Sequence, residues 1–147
     1  MYPKVLIIGK NSFIGKNFFN LSKNKKFKKI YSYKKFLKIK KKNLIKFDLI
    51  INFSIKMNYV NKKYSLLNDI DYKIATRIKD LNILYVFISS RKVYKNGENL
   101  EENSRKKPHD NYSKNKLKTE KKLKKILFKN LLILRLSNVV GIKKITR

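Results

Sequence analysis

The sequence contains no cysteine and one histidine, His109. Disulfides, thiolate metal sites, histidine metal clusters and histidine-based triads are therefore excluded. Long apolar runs are missing as well. The first, Val5 to Ile8, is broken by Gly9-Lys10 and is too short for a signal-peptide core. Nowhere does the chain approach the ~18 apolar residues of a membrane span. These absences point to a cytoplasmic protein with no membrane partner. Acid is scarce: 9 Asp and Glu stand against 39 Lys and Arg, a formal net charge of +30, and no acid precedes Asp48. A field of that sign attracts anions. The lysines are spread along the whole chain, amid heavy use of Asn, Ile, Phe and Tyr, which marks a drift of composition rather than a built nucleic-acid surface. An anionic small substrate such as a nucleotide is the expected partner, ahead of nucleic acid.

The chain has 147 residues, 42% of them hydrophobic, enough for one domain with a real core. Lys4-Val5-Leu6-Ile7-Ile8 reads as a strand buried on both faces of a parallel sheet. It runs straight into Gly9-Lys10-Asn11-Ser12-Phe13-Ile14-Gly15, after which Ile14, Phe18 and Leu21 recur at helical spacing. A glycine turn between a buried strand and a helix is the context of a dinucleotide fingerprint. Gly9 permits the tight turn, Gly15 lets the helix pack on the strand, and the amides of the helix start, from Asn11 to Gly15, face a pyrophosphate. A plain βα turn has the same outline; the N-terminal position favours the cofactor reading. Ser12 stands where the pattern has its middle glycine, to crowd the phosphates or to donate its hydroxyl to them.

Phe27 to Ser32 is the second strand. An NAD site carries an acid at its end for the ribose 2′-hydroxyl; this chain has Ser32-Tyr33-Lys34-Lys35. Ser32 and Lys34 suit a 2′-phosphate, so the cofactor is NAD or NADP with a lean to NADP. Residues 36 to 47 leave too little room for another strand and helix, so the third strand is expected to be shortened or missing. Asp48 to Ser54 is the next buried strand, with Ser54 beside the cofactor at its carboxyl end. Residues 56 to 67 have no clear period. From Asn68 or Asp69, a cap, Ile70, Ile74, Ile78 and Leu81 keep helical spacing. Leu84 to Ile88 is the strongest strand, and Leu131 to Leu136 is the last.

Tyr112 and Lys116 lie four residues apart in Asn111-Tyr112-Ser113-Lys114-Asn115-Lys116, one helical turn apart on one face. An ammonium beside a phenol favours phenolate by about 4 kcal/mol at 4 Å and an effective dielectric of about 20. The spacing therefore predicts a tyrosine drawn down towards neutrality, ready for proton transfer.

In order, five segments resemble the extended short-chain dehydrogenase/reductase superfamily in its NAD-dependent epimerase/dehydratase, nucleotide-sugar branch. They are Gly9 to Gly15, Asp48 to Asn52, Ile88-Ser89-Ser90-Arg91-Lys92-Val93-Tyr94, Tyr112 to Lys116, and Leu134-Arg135-Leu136-Ser137-Asn138-Val139-Val140-Gly141. The resemblance implies an α/β fold, a Rossmann-like doubly wound parallel sheet flanked by helices. Residues 1–147 would be its NAD(P)-binding domain, incomplete relative to the family and lacking the substrate domain. It implies a Ser-Tyr-Lys site: Ser90 holding the oxygen at the reacting sugar carbon, Tyr112 moving its proton, and Lys116 holding the nicotinamide ribose. Asn138 matches a position that contacts the nucleotide-sugar. A homodimer is an option under the same resemblance. Dehydratases carry Asp-Glu directly after the catalytic hydroxyl, whereas this chain has Arg91 and Lys92, so epimerisation or ketone reduction fits better than 4,6-dehydration. Family members continue well past Gly141, which suggests either a fragment or a short form with an open substrate site. The alternative function is a catalytically silent relic that binds dinucleotide, or a nucleic acid or other partner, through its basic surface.

Overall fold

The computed structural model describes residues 2–97 and 99–137. Five segments form parallel strands, three of four residues and two longer: β1 (Val5–Ile8), β2 (Lys28–Tyr31), β3 (Leu49–Asn52), β4 (Leu84–Ser90) and β5 (Leu131–Leu136). Their order across the sheet is β2-β1-β3-β4-β5, all parallel. Val5 pairs with Lys28 on one side and Leu49 on the other, and Leu49 pairs in turn with Leu84. The chain leaves β1 in one direction to make β2 and returns on the other side for β3. That reversal opens a crevice at the carboxyl ends of β1 and β3.

The helices are α1 (Phe13–Leu21), α2 (Tyr33–Leu37), α3 (Lys41–Leu44), α4 (Met57–Asn61), α5 (Ile70–Ile78) and α6 (Asn111–Leu127). Two short helices, α2 and α3, occupy the stretch between β2 and β3, and β2 is the sheet edge, as the lack of room for a third strand predicts. The 56–67 stretch contributes α4. Of the two candidate caps for α5, Asp69 is the one used: its carboxylate accepts from the Tyr72 amide at 2.9 Å.

Strand alternation sorts the core. Leu6, Ile8, Ile50, Tyr85 and Phe87 face α5 and α6, meeting Ile70, Ile74, Ile78, Leu123 and Leu127. Each such aliphatic side chain contributes about 1.5–3 kcal/mol by leaving water. Val5, Ile7, Ile51 and Val86 face the other way, against Phe19. The helix expected from the spacing of Ile14, Phe18 and Leu21 is present as α1, but those residues do not mark its buried side. Phe18 is 43% and Leu21 is 73% exposed, while Phe19 meets the core and Gly15 is buried. Close packing at Gly15 turns that side of the helix inward and leaves the Phe18–Leu21 stripe outside. Among the described residues no helix is long and apolar enough to cross a membrane.

Candidate active site

The glycine turn is shaped by backbone contacts. Gly9 has φ +127°, a conformation that disfavours any Cβ, and one there would lie 3.0 Å from Phe53 Cβ. The Gly9 and Lys10 amides both donate to the Tyr31 carbonyl, at 2.8 and 3.1 Å, folding the turn over the end of β2. At Gly15 a Cβ would stand 2.6 Å from the Gly9 carbonyl oxygen. Ser12, in place of the middle glycine, is the N-cap of α1: its Oγ accepts from the Gly15 amide at 3.3 Å. That contact uses one of the helix's free amides and leaves the hydroxyl proton to be donated. Helix geometry leaves the amides of Phe13 and Ile14 without intrahelical acceptors.

A cavity of about 470 Å³ lies over this turn. Asn11, Ser12, Ser32, Lys34 and Ser54 line it, all singled out from the sequence, whereas Gly9 and Gly15 lie buried beneath. Lys10, Tyr33, Phe53 and Ile55 also line it and escaped sequence reasoning, although each adjoins a residue that did not. Ser32 caps α2, accepting from the Lys35 amide at 3.2 Å, which brings Tyr33 and Lys34 to the rim.

Ser90 is the last residue of β4; its Oγ accepts from the Lys92 amide at 3.2 Å and caps the 3₁₀ turn Arg91–Val93. Lys92 forms an ion pair at 3.7 Å with Asp110. Asp110 caps α6, accepting from Ser113 N at 2.7 Å. The start of α6, with Tyr112 in its first turn, is thereby held against the turn that follows Ser90. One turn on, Lys116 Nζ donates to the Ile88 carbonyl at 2.7 Å and lies 4.6 Å from the Phe87 ring centroid and 5.7 Å from that of Tyr112. Ser90, Tyr112 and Lys116 thus gather at the carboxyl end of β4. Asn138 lies outside the described residues.

One expectation is overturned. The Tyr112 phenol is raised above its ordinary pKa, by burial first and then by the Asp71 and Asp110 carboxylates. Lys116 reaches past the ring to a strand carbonyl, and its own pKa is pushed down by burial, against the opposing pull of Asp71, Asp69 and Glu120. Those acids are the functional candidates that sequence reasoning missed. Asp69 Oδ2 receives Tyr64 OH at 2.8 Å and Thr119 Oγ1 at 2.6 Å. Asp71 Oδ1 receives Asn52 Nδ2 at 2.8 Å and Tyr85 OH at 2.6 Å. Glu120 Oε1 receives Ser89 Oγ at 2.6 Å, and Glu120 forms an ion pair with Arg135 at 2.7 Å. A signal was present: in a chain so poor in acid, Glu120 is the only one in the lysine-rich helix α6.

α6 carries two adjacent polar stripes. Tyr112, Lys116 and Glu120 face the end of β4. Asn111 and Asn115 donate to the carbonyls of Asn61, Tyr59 and Lys62 at 2.8–2.9 Å, and Thr119 shares a 2.7 Å hydrogen bond with Tyr59 OH. The second stripe clamps the α4 segment onto the helix that bears the first.

A five-stranded parallel sheet with a glycine turn at the point where its strand order reverses defines the Rossmann-like class of α/β fold. No protein-family model and no curated protein matches the chain. Among solved structures it is similar to dTDP-4-dehydrorhamnose reductase from Bacillus anthracis in complex with NADP, with a TM-score of 0.70 and 21% identity over 93% of this chain and 54% of that one. It is similar to UDP-glucuronic acid 4-epimerase from Bacillus cereus in complex with NAD, with a TM-score of 0.70 and 16% identity over 93% and 57% of the two chains. A third is UDP-N-acetylglucosamine 4-epimerase from Methanobrevibacter ruminantium in complex with UDP-N-acetylmuramic acid, with a TM-score of 0.62 and 22% identity over 90% and 54%. The shared property is the fold. The chain spans about half the length of these enzymes.

Proposed function

We propose that residues 1–147 are the dinucleotide-binding domain of an NAD(P)-dependent nucleotide-sugar epimerase or keto-sugar reductase of the extended short-chain dehydrogenase/reductase type. The observation that carries this reading is a single edge of the sheet holding both the cavity over the Gly9 turn and the Tyr112–Lys116 pair. The residues fit a dinucleotide. Gly9 and Gly15 let the turn close tightly beneath the cavity, where a Cβ would meet Phe53 or the Gly9 carbonyl, and the amides of Phe13 and Ile14 with the Ser12 hydroxyl are available for its phosphates. Ser32 and Lys34, with no acid beside them, support NADP over NAD. When bound, the nicotinamide supplies or accepts a hydride at the sugar carbon.

The chain's own residues handle the oxygen on that carbon. With its pKa raised, the Tyr112 phenol keeps its proton through neutral pH and donates it to a carbonyl oxygen in the reductive direction. Ser90, its Oγ already accepting from Lys92 N, has its proton free to donate to the same oxygen. The Lys116 ammonium stands beside the phenol and offsets negative charge as it develops there. Arg91 and Lys92 bring no carboxylate, so 4,6-dehydration has no base at those positions.

A fluorescence titration with NADPH tests the reading. Saturable binding to the native chain, lost in Gly9→Trp, is expected; binding that survives Gly9→Trp would remove the turn from the site. With a nucleotide 4-keto-sugar supplied, Tyr112→Phe lowers turnover by orders of magnitude and leaves NADPH affinity intact. A second reading is a catalytically silent dinucleotide binder of the same fold. NADPH binding with no consumption of any keto-sugar is its signature. Sedimentation of the native chain decides between monomer and homodimer.

A further inference from the structure

Among the described residues three of the chain's nine acids are buried, Asp69, Asp71 and Glu120. All three act on Lys116, itself 5% exposed. Two of them have other principal partners. Glu120 is matched by the guanidinium of Arg135. Asp69 spends Oδ1 on the cap of α5 and Oδ2 on the hydroxyls of Tyr64 and Thr119. Asp71 takes two neutral donors on one oxygen, Oδ1, and the cation acting on it is Lys116.

The sheet places the supports of these two charges on neighbouring strands. Asn52 and Phe87 are register partners on β3 and β4. The Asp71 carboxylate rests on the Asn52 amide at 2.8 Å, and the Lys116 ammonium rests 4.6 Å from the Phe87 ring centroid. Their supports are one strand spacing apart, about 4.8 Å, on the face covered by α5 and α6. The ionisable groups facing this spot are Asp69 and Asp71 from α5, Glu120 and Tyr112 from α6, Tyr59 from α4 and Tyr85 from β4.

We propose that Asp71 is a positioning residue for Lys116: its carboxylate keeps the lysine an ammonium within this apolar setting and so fixes the charge that stands beside Tyr112. The proposal rests on the reading of Tyr112 and Lys116 as the proton-handling pair and adds a residue to it. Two buried ions of opposite sign sustain each other where either alone would lose its charge. Burial pushes Lys116 down and Asp71 is the strongest opposing influence; burial pushes Asp71 up and Lys116 is the strongest opposing influence there.

The test is a ¹³C NMR pH titration of the full chain labelled at lysine Cε, with the Lys116 signal assigned by its loss in Lys116→Arg. In the native chain Lys116 titrates below the surface lysines. In Asp71→Asn, which keeps an oxygen for the Tyr85 hydroxyl, its midpoint moves further down, and Asp71→Glu restores it towards native. The pH at which NADPH affinity declines moves down in step. An unmoved Lys116 midpoint in folded Asp71→Asn would overturn the proposal. If Asp71→Asn does not fold, the reciprocal measurement decides: the Asp71 carboxyl carbon should titrate at higher pH in Lys116→Met, and an unshifted one overturns the coupling. Absence of NADPH binding by the native chain at every pH would overturn the dinucleotide reading, while a shifted Lys116 midpoint would still support the Asp71–Lys116 coupling.

Discussion

Glu120 grips Arg135 through both carboxylate oxygens, Oε1 to Nε at 2.9 Å and Oε2 to Nη2 at 2.7 Å. The side chains are 3% and 14% exposed respectively, and Arg135 Nη1 goes on to the Tyr94 hydroxyl at 2.5 Å. This fork fastens α6 to β5.

Removing Glu120 leaves the partly buried Arg135 guanidinium without its carboxylate. Glu120→Gln is expected to cost about 1.5–3 kcal/mol in urea denaturation, the worth of a hydrogen bond to a charged group. Arg135→Lys should recover little of the fork, because an ammonium cannot meet both oxygens in one plane. A loss within about 1 kcal/mol would mean that the pair behaves as a solvent-exposed one.

Gly15→Ala drives a Cβ to within 2.6 Å of the Gly9 carbonyl oxygen. The expected cost is about 1–3 kcal/mol of stability, together with weakened NADPH binding, because the turn must shift to admit the methyl. Gly97→Ala is the control. There the added carbon meets, among the described residues, only Leu100, at an ordinary 3.6 Å, and thermal melts should agree with native within about 0.5 kcal/mol.

Asp110 has its pKa lowered, chiefly by hydrogen bonds from the Ser113 amide and hydroxyl, with Lys92 adding to the effect. A carboxyl held lower in the folded than in the unfolded chain contributes stability above the ordinary carboxylate range. That contribution is lost as pH falls through the depressed value. Asp110→Ala should therefore cost about 1 kcal/mol at neutral pH, the usual worth of an N-cap. The gap to native should close in acid. Asp110→Asn keeps a cap and removes this pH dependence, and chemical denaturation from neutral pH down to acid reads both.

Lys34 lines the cavity next to Ser32. If the pair holds a 2′-phosphate, Lys34→Glu lowers the preference for NADPH over NADH by about tenfold, the value of one charge-assisted hydrogen bond. Parallel fluorescence titrations with the two dinucleotides measure it. An unchanged ratio would leave Lys34 as a surface lysine.

Most of the sheet was readable in the chain because β1, β3, β4 and β5 are built on short apolar runs, Val5 to Ile8, Leu49 to Ile51, Leu84 to Ile88 and Leu131 to Leu134, whereas β2 carries two lysines in its four residues. The missing third strand was readable from a simple shortage of residues between Tyr31 and Asp48. Spacing located α1 as a helix but did not tell which side is buried: Phe18 and Leu21 lie outside. The close approach of Gly15 to the Gly9 carbonyl, a contact between turn and helix, decides which side faces the sheet.

The pair Tyr112 and Lys116 was visible as a motif, but the electrostatics of the phenol were not. Local spacing offers the phenol one ammonium. The fold brings Asp71 from α5, sends the ammonium to the Ile88 carbonyl, and buries both. Contacts between segments so far apart in the chain leave no periodic trace. Only the rarity of acids hinted that the few within helices had work to do.

The place of β2 has a consequence for how molecules of this protein meet. It is the outermost strand on its side, and two of its four residues are Lys28 and Lys29. An open strand rim invites the rim of another sheet to zip onto it, and cationic side chains along it make each copy repel the next. The shortened route from β2 to β3 thus leaves a seam that is self-avoiding: at low salt the protein should stay dispersed through its own lysines, and added salt should be what lets those rims approach.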